Sequence, residues 1–371
     1  MKKPSTHTHS FLLFFALAAI SVVLLVSCEL GSLVQSPADT KVTDTVYKPI
    51  EDTTTAITTA ADGTAPPVIT TQSPLTTAPA VATTAPPAHY HPLTGLLCPS
   101  EAATARPIAF CVKEATSAEI SAADLVIEAP TEGSTTRLSL IGTGHTALVR
   151  SITPASTRPY LAAMTHDFFG ISVYRGTSDN GYESTELLYD TLDLSVKDVE
   201  ATEAALLAAL KQAGYQMETV GSIALPYRLP PLTESITPKG NGASYASVTF
   251  GSGAVSTFTF DAARNTYTMR SSAALEPDGG ALPVFSNLLI LFHDATRRIT
   301  KDGVELTLDT ELGGYGYYLS AGHAMPILWR RDPATSSLRI TDGDGALLTV
   351  NRGKTYIGMT TYEHREDLIL N

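Results

Sequence analysis

The sequence predicts an α+β protein, with a mixed α/β N-terminal domain at residues 90–235 followed by a mostly antiparallel, β-rich C-terminal domain at 242–362. Three observations predict it. Short Val/Ile/Leu runs alternate with helix-patterned segments in the first half of the folded region. Strand-like runs then recur roughly every ten residues, separated by Gly, Asp and Asn turn signals. Residues 29–88 carry Tyr47 as their one aromatic, so the packed part of the chain begins after them.

The chain opens with Lys2 and Lys3, then an apolar run from Phe11 to Val26 broken only by Ser21, then Leu25-Val26-Ser27-Cys28. This pattern is that of a lipoprotein signal peptide, residues 1–27, cleaved before a cysteine that receives lipid. The 16-residue run is shorter than the ~20 residues a spanning helix needs. The expectation is an exported chain held by lipid at Cys28 on the outer face of the cytoplasmic membrane. Each buried lipid methylene contributes roughly 0.8 kcal/mol to such a tether.

Residues 28–89 are dominated by Thr, Ala and Pro and read as a disordered stalk. As a coil of about 60 residues it spans roughly 45 Å.

In the N-terminal domain, Arg106–Lys113, Asp124–Ala129, Thr136–Ile141 and Ile171–Tyr174 read as strands. Arg158–Phe168 reads as a helix with Pro159 in its first turn. Ser195–Ala213 is the clearest helical pattern, with Ser195 as candidate cap and Gly214 just past its end.

From Gly242 onward the pattern is β. Ser256–Phe260 and Thr266–Arg270 flank a turn at Asn265. Leu288–His293, Val304–Leu308, Tyr315–Leu319, Met325–Arg330, Leu338–Thr341, Ala346–Val350 and Thr355–Met359 continue the series. Asp342-Gly343-Asp344-Gly345 and Asn351-Arg352-Gly353-Lys354 supply turns near its end.

Formal net charge is −12, and −14 once Lys2 and Lys3 leave with the signal. An acidic chain without Lys/Arg blocks lacks the footprint of nucleic-acid binding. It is also repelled by anionic lipid heads, so the membrane contact expected is the lipid alone. Besides Cys28 there are two cysteines, Cys98 and Cys111. An exported chain can join them in a disulfide closing a short loop. The other reading is a buried free thiol at Cys111, inside the apolar run Pro107–Val112.

Several strings occur in a telling order: His91-Pro92-Leu93-Thr94-Gly95-Leu96, Arg106-Pro107-Ile108-Ala109, Ala123-Asp124-Leu125-Val126-Ile127-Glu128, Glu132-Gly133-Ser134-Thr135-Thr136-Arg137-Leu138, Val149-Arg150-Ser151 and Arg158-Pro159-Tyr160. Trp329-Arg330 and Gly353-Lys354-Thr355-Tyr356-Ile357 follow. Together they resemble the YerB-like lipoproteins, a family defined by domain of unknown function 3048, over roughly residues 90–360. The resemblance implies an exported, lipid-anchored protein with an N-terminal and a C-terminal domain. It supplies no catalytic residues. The chain departs from the pattern at Ile152–Thr157, which separates Ser151 from Arg158, and at Tyr174 and Thr177, where the family often has a histidine and glycines.

The best candidate site collects Arg137, Arg150 and Arg158 with Glu128 and Glu132. The guanidinium fork suits a carboxylate or phosphate, such as an anionic wall polymer or envelope component. The competing reading is an internal ion-pair network in which Glu128 or Glu132 neutralises Arg137. A hydrolase would use Asp124, Glu128 and Glu132 as acid and base. Ser151, Ser178, His145, His166 and Asp167 provide the groups of a nucleophilic triad but no local signature of one.

His89 and His91 are two candidate metal ligands, too few for a site, and no metal or cofactor is expected. Tyr315, Tyr317 and Tyr318 read first as packing residues and second as a sugar-stacking surface. The functional expectation is an envelope protein that binds without catalysis. A wall-polymer hydrolase and a surface scaffold for partner proteins are the alternatives.

Overall fold

The computed structural model describes residues 88–143, 154–176, 189–194, 202–219, 223–300 and 303–371. The signal peptide, Cys28 and nearly all of the stalk lie outside the described residues, as do His145, Arg150, Ser151 and Ser178.

The first strands are β1 (Ile108–Val112), β2 (Ala115–Thr116), β3 (Leu125–Pro130), β4 (Thr136–Gly142), β5 (Ile171–Tyr174) and β6 (Thr191–Asp193). Four helices lie among them: α1 (Ser100–Thr104), α2 (Ser117–Ala122), α3 (Pro159–His166) and α4 (Glu203–Gln212). The second half supplies β7 (Asn241–Gly242), β8 (Tyr245–Gly251), β9 (Ala254–Asp261), β10 (Thr266–Ser271), β11 (Leu275–Glu276), β12 (Val284–Phe285) and β13 (Asn287–His293). It continues with β14 (Ala295–Thr300), β15 (Gly303–Leu308), β16 (Gly314–Ser320), β17 (His323–Arg331), β18 (Leu338–Thr341), β19 (Thr355–Thr361) and β20 (Ile369–Leu370).

One large sheet runs in the order β18-β17-β16-β13-β19-β3-β4-β1-β5-β6, with β7 added beside β17. A five-stranded sheet, β12-β10-β9-β8-β20, packs against it. The two halves of the sequence therefore contribute adjacent strands to one sheet. The join is β19 against β3, parallel, from Thr355 opposite Leu125 to Gly358 opposite Glu128. The described residues are mostly strand, and the helical share is small.

The large sheet is covered on both faces, which is why its central strands read as unbroken apolar runs. Ile108, Phe110, Val126, Leu140, Leu288, Ile290 and Tyr356 face the five-stranded sheet. Their neighbours Ala109, Cys111, Leu125, Ile127, Leu289, Leu291 and Ile357 face the other way, toward α3.

Two expected elements differ. The helix expected over 195–213 spans Glu203–Gln212 among the described residues, because the Thr202 side chain accepts from the Ala205 N–H and caps it there. Ala346–Val350 forms only isolated bridges, Thr341 with Leu347 and Arg228 with Thr349, because Arg228 exchanges backbone bonds with Leu348 and Val350. No described helix is long and apolar enough to cross a membrane.

Candidate functional site

The alternation of β4 divides the expected cluster. Arg137 lies on the side of Ser139 and Ile141, facing α3, whereas Glu128 of β3 points to the opposite side, between the two sheets. Glu128 therefore cannot neutralise Arg137. Glu132 does not pair with it either. Its carboxylate takes Arg158, with Nη2 at 2.5 Å and Nε at 3.3 Å. Burial opposes ionisation of Glu132, but Arg158 and backbone N–H groups hold its carboxyl below the usual range.

Arg137 is left half-buried. Its Nη1 donates to its neighbour's carbonyl, that of Thr136, at 3.2 Å. Its buried Nε has no partner among the described residues, and burial lowers its pKa. The carboxylate of Glu132 is thus taken by Arg158 and not by Arg137. Cys111 lies on the same face, its sulfur 3.5 Å from the Ser156 carbonyl. Burial pushes its thiol up to about 11. Both Cys111 and the half-buried Cys98 are free, so the disulfide that their spacing allows is not formed.

Glu128 is wholly buried and accepts from four hydroxyls: Thr136 (2.8 Å), Ser272 (2.9 Å), Ser256 (2.7 Å) and Tyr356 (2.7 Å). Burial, reinforced by the Glu128 charge, holds the Tyr356 phenol well above its ordinary pKa. This knot ties β3 and β4 to β9, β19 and the segment after β10. The sequence reading sets Glu128 beside Arg137, in a ligand site or as its internal ion-pair partner, and the structure puts it on the opposite face of the sheet. The missed signal was its place within the apolar run of β3.

Asp124 lies 3.1 Å from His91 Nε2, and Thr143 Oγ1 lies 2.7 Å from the same nitrogen. His91 Nδ1 accepts from the N–H groups of Leu93 and Thr94. A triad needs acid and nucleophile on different nitrogens, so this cluster organises a turn. Among the described residues no three His, Cys, Asp or Glu side chains converge as metal ligands. Asp342 spends its carboxylate on the N–H groups of Asp344 and Ala346 within its own turn.

The N- and C-terminal domain descriptions of a protein family of unknown function, DUF3048, match residues 93–210 and 246–357 respectively. The chain belongs to the DUF3048 family. It is similar to the crystal structure of YerB protein from Bacillus subtilis, with a TM-score of 0.55 and 22% identity over 73% of this chain and 96% of that one. At that identity the likeness concerns the fold. No curated protein sequence matches the chain.

Two strings at the outer ends of the DUF3048 match interlock. The turn His91–Leu96 is closed by the Gly95 N–H on the His91 carbonyl, and it docks on the segment before β19. Arg352 donates to the carbonyls of Gly95 (2.6 Å) and Pro230 (3.1 Å), and the Gly353 N–H to that of Thr94 (2.8 Å). Gly95 has φ +67°, and a Cβ there would lie 2.5 Å from Arg352 Nη1, so glycine is required. Tyr318 is likewise structural: its hydroxyl donates to Asn287 and accepts from the Asn351 N–H.

A groove of about 780 Å³ opens at the C-terminal end of α3. Asp167 lies in its wall and takes a bidentate fork from Arg331, at 2.7 and 2.8 Å, so it does not orient the exposed His166. Arg106 pairs with Asp190 and donates its Nε to the Phe169 carbonyl at 3.2 Å. Phe169 itself has φ +59°, a left-handed conformation costing a non-glycine residue roughly 1–2 kcal/mol. The residue is 42% exposed and lines the groove.

Proposed function

We propose that this DUF3048 protein is an exported, lipid-anchored envelope protein that binds an anionic wall or envelope component through Arg137, without catalysis. The observation that carries the reading is the half-buried guanidinium of Arg137, whose Nε has no partner among the described residues. A buried unmet donor in a native fold calls for an explanation, and a bound anion supplies one.

The signal-like residues 1–27, Cys28 and the Thr/Ala/Pro stalk support the address. The acidic groups that a hydrolase would use are engaged separately: Asp124 with His91, Glu128 with four hydroxyls, Glu132 with Arg158.

The test is capture of full-length protein, purified in detergent, on wall fragments, comparing wild type with Arg137→Ala and Arg137→Lys. The alanine variant is expected to lose roughly tenfold or more in affinity, and lysine to recover part of it. Equal capture of wild type and Arg137→Ala refutes the anion site. Mass spectrometry showing an unmodified Cys28 thiol refutes the tether.

A further inference from the structure

The groove at the end of α3 shares no residue with the Arg137 cluster. Its charges largely cancel one another. Arg106 is paired with Asp190 and Arg331 with Asp167, and Arg331 also meets Glu311 at 3.4 Å. An anion entering it meets guanidiniums that already hold carboxylates.

What remains free is aromatic and polar but not strongly charged. Phe169 presents its ring from a left-handed backbone held by three bonds: its N–H to His166 O, its carbonyl from Arg106, and Gly170 N–H to Thr165 O. Glycine fits this helix-ending position without strain, and a side chain left 42% exposed forgoes part of what burial would contribute. The left-handed backbone by itself gives no reason for phenylalanine here. Tyr189 also lines the groove, its ring 5.8 Å from the His166 ring. Beside these rings stand the exposed side chains of Gln216 and Glu218 and the half-exposed Arg339, whose nearest described carboxylate, Asp332, is 3.8 Å away.

We propose that this groove binds a neutral saccharide chain. A pyranose has an apolar C–H face and a rim of hydroxyls. An exposed aromatic plane next to an amide, a carboxylate and a guanidinium matches both. Phe169 and Tyr189 are the stacking platforms, and Gln216, Glu218 and Arg339 meet the hydroxyls.

The test is calorimetric titration of the full-length protein with N-acetylglucosamine trimer, maltotriose and cellotriose, with an uncharged tripeptide as the competing class. At least one saccharide is expected to bind wild type. Phe169→Asn keeps a residue that tolerates the left-handed backbone and removes the ring. It is expected to weaken binding about tenfold without lowering Tm. Gln216→Ala removes an exposed side chain and is expected to weaken binding without touching the fold. Arg137→Ala is expected to bind saccharide normally, so this proposal and the anion site fail separately. Absence of binding to all three saccharides, binding of the peptide alone, or wild-type saccharide affinity in folded Phe169→Asn and Gln216→Ala overturns the assignment.

Discussion

The imidazole of His293 lies against the indole of Trp329, with ring centroids 4.3 Å apart, in the interior of the large sheet. His293 Nδ1 is 2.8 Å from the Asp309 carbonyl, which can only accept, so Nδ1 carries the proton. Nε2 is buried with no partner among the described residues, and burial pushes the His293 pKa down from 6.5 to about 4.

This pair predicts acid sensitivity. Above pH 6.5 His293 is neutral whether folded or unfolded and contributes no pH dependence. Between 6.5 and about 4 the unfolded chain takes up a proton that the folded chain refuses, so stability falls as pH falls. Below about 4 both states are protonated and the loss levels off, at about 3 kcal/mol. Trp329 is the single tryptophan of the chain and reports the transition by fluorescence. His293→Gln is expected to flatten the stability profile in that window, and an unchanged slope refutes the assignment.

The Glu128 knot predicts a graded series. Tyr356→Phe removes one hydroxyl bonded to a charged group and is expected to cost about 1.5–3 kcal/mol. Glu128→Ala leaves four hydroxyls without their acceptor and adds a cavity, so it is expected to exceed ~3 kcal/mol. Denaturant midpoints compare the two. A Glu128→Ala protein as stable as wild type shows that the knot does not hold the sheets together.

Asp167 and Arg331 form a largely buried pair, so cutting one side strands the other. Arg331→Ala and Asp167→Ala are each expected to lose about 3–5 kcal/mol. The Asp167→Leu/Arg331→Met double replacement is expected to recover much of that loss. A double-mutant cycle measures the coupling. Additive losses mean the two side chains act independently.

Gly95→Ala sets a side chain against Arg352 and strains a positive φ. A loss of about 2 kcal/mol in thermal denaturation is expected, because the Arg352 bond to the Gly95 carbonyl must give way. A neutral result refutes the interlock of the two termini of the DUF3048 match.

Much of the local structure was legible because it is written in short periodicities. Ile171–Tyr174 and Leu338–Thr341 carry their strand pattern within four residues, and both strands have the expected bounds. Ser195 has cap chemistry but lies outside the described residues, and the observed cap is Thr202, whose side chain accepts from the Ala205 N–H.

The sheet order was not legible. Nothing local to Thr355–Thr361 says that this strand pairs with Leu125–Pro130, because parallel pairing between distant segments leaves no turn signal. The site was half legible. Arginine chemistry singled out Arg137 and Arg158, but which carboxylate faces which arginine depends on the alternation of two paired strands. Phe169 was missed altogether, since a residue in a left-handed conformation without being glycine gives no sequence signal.

Because β3 ends at Pro130 and β19 begins only at Thr355, the strand that covers the edge of β3 is synthesised long after β3 itself. A nascent chain with the whole N-terminal half complete still displays β3 as a bare, apolar template, open to mispairing with other chains. Maturation must therefore wait for β19. A truncation shortly before Thr355 is a lesion at the centre of the sheet, although Thr355 lies far from β3 in the sequence.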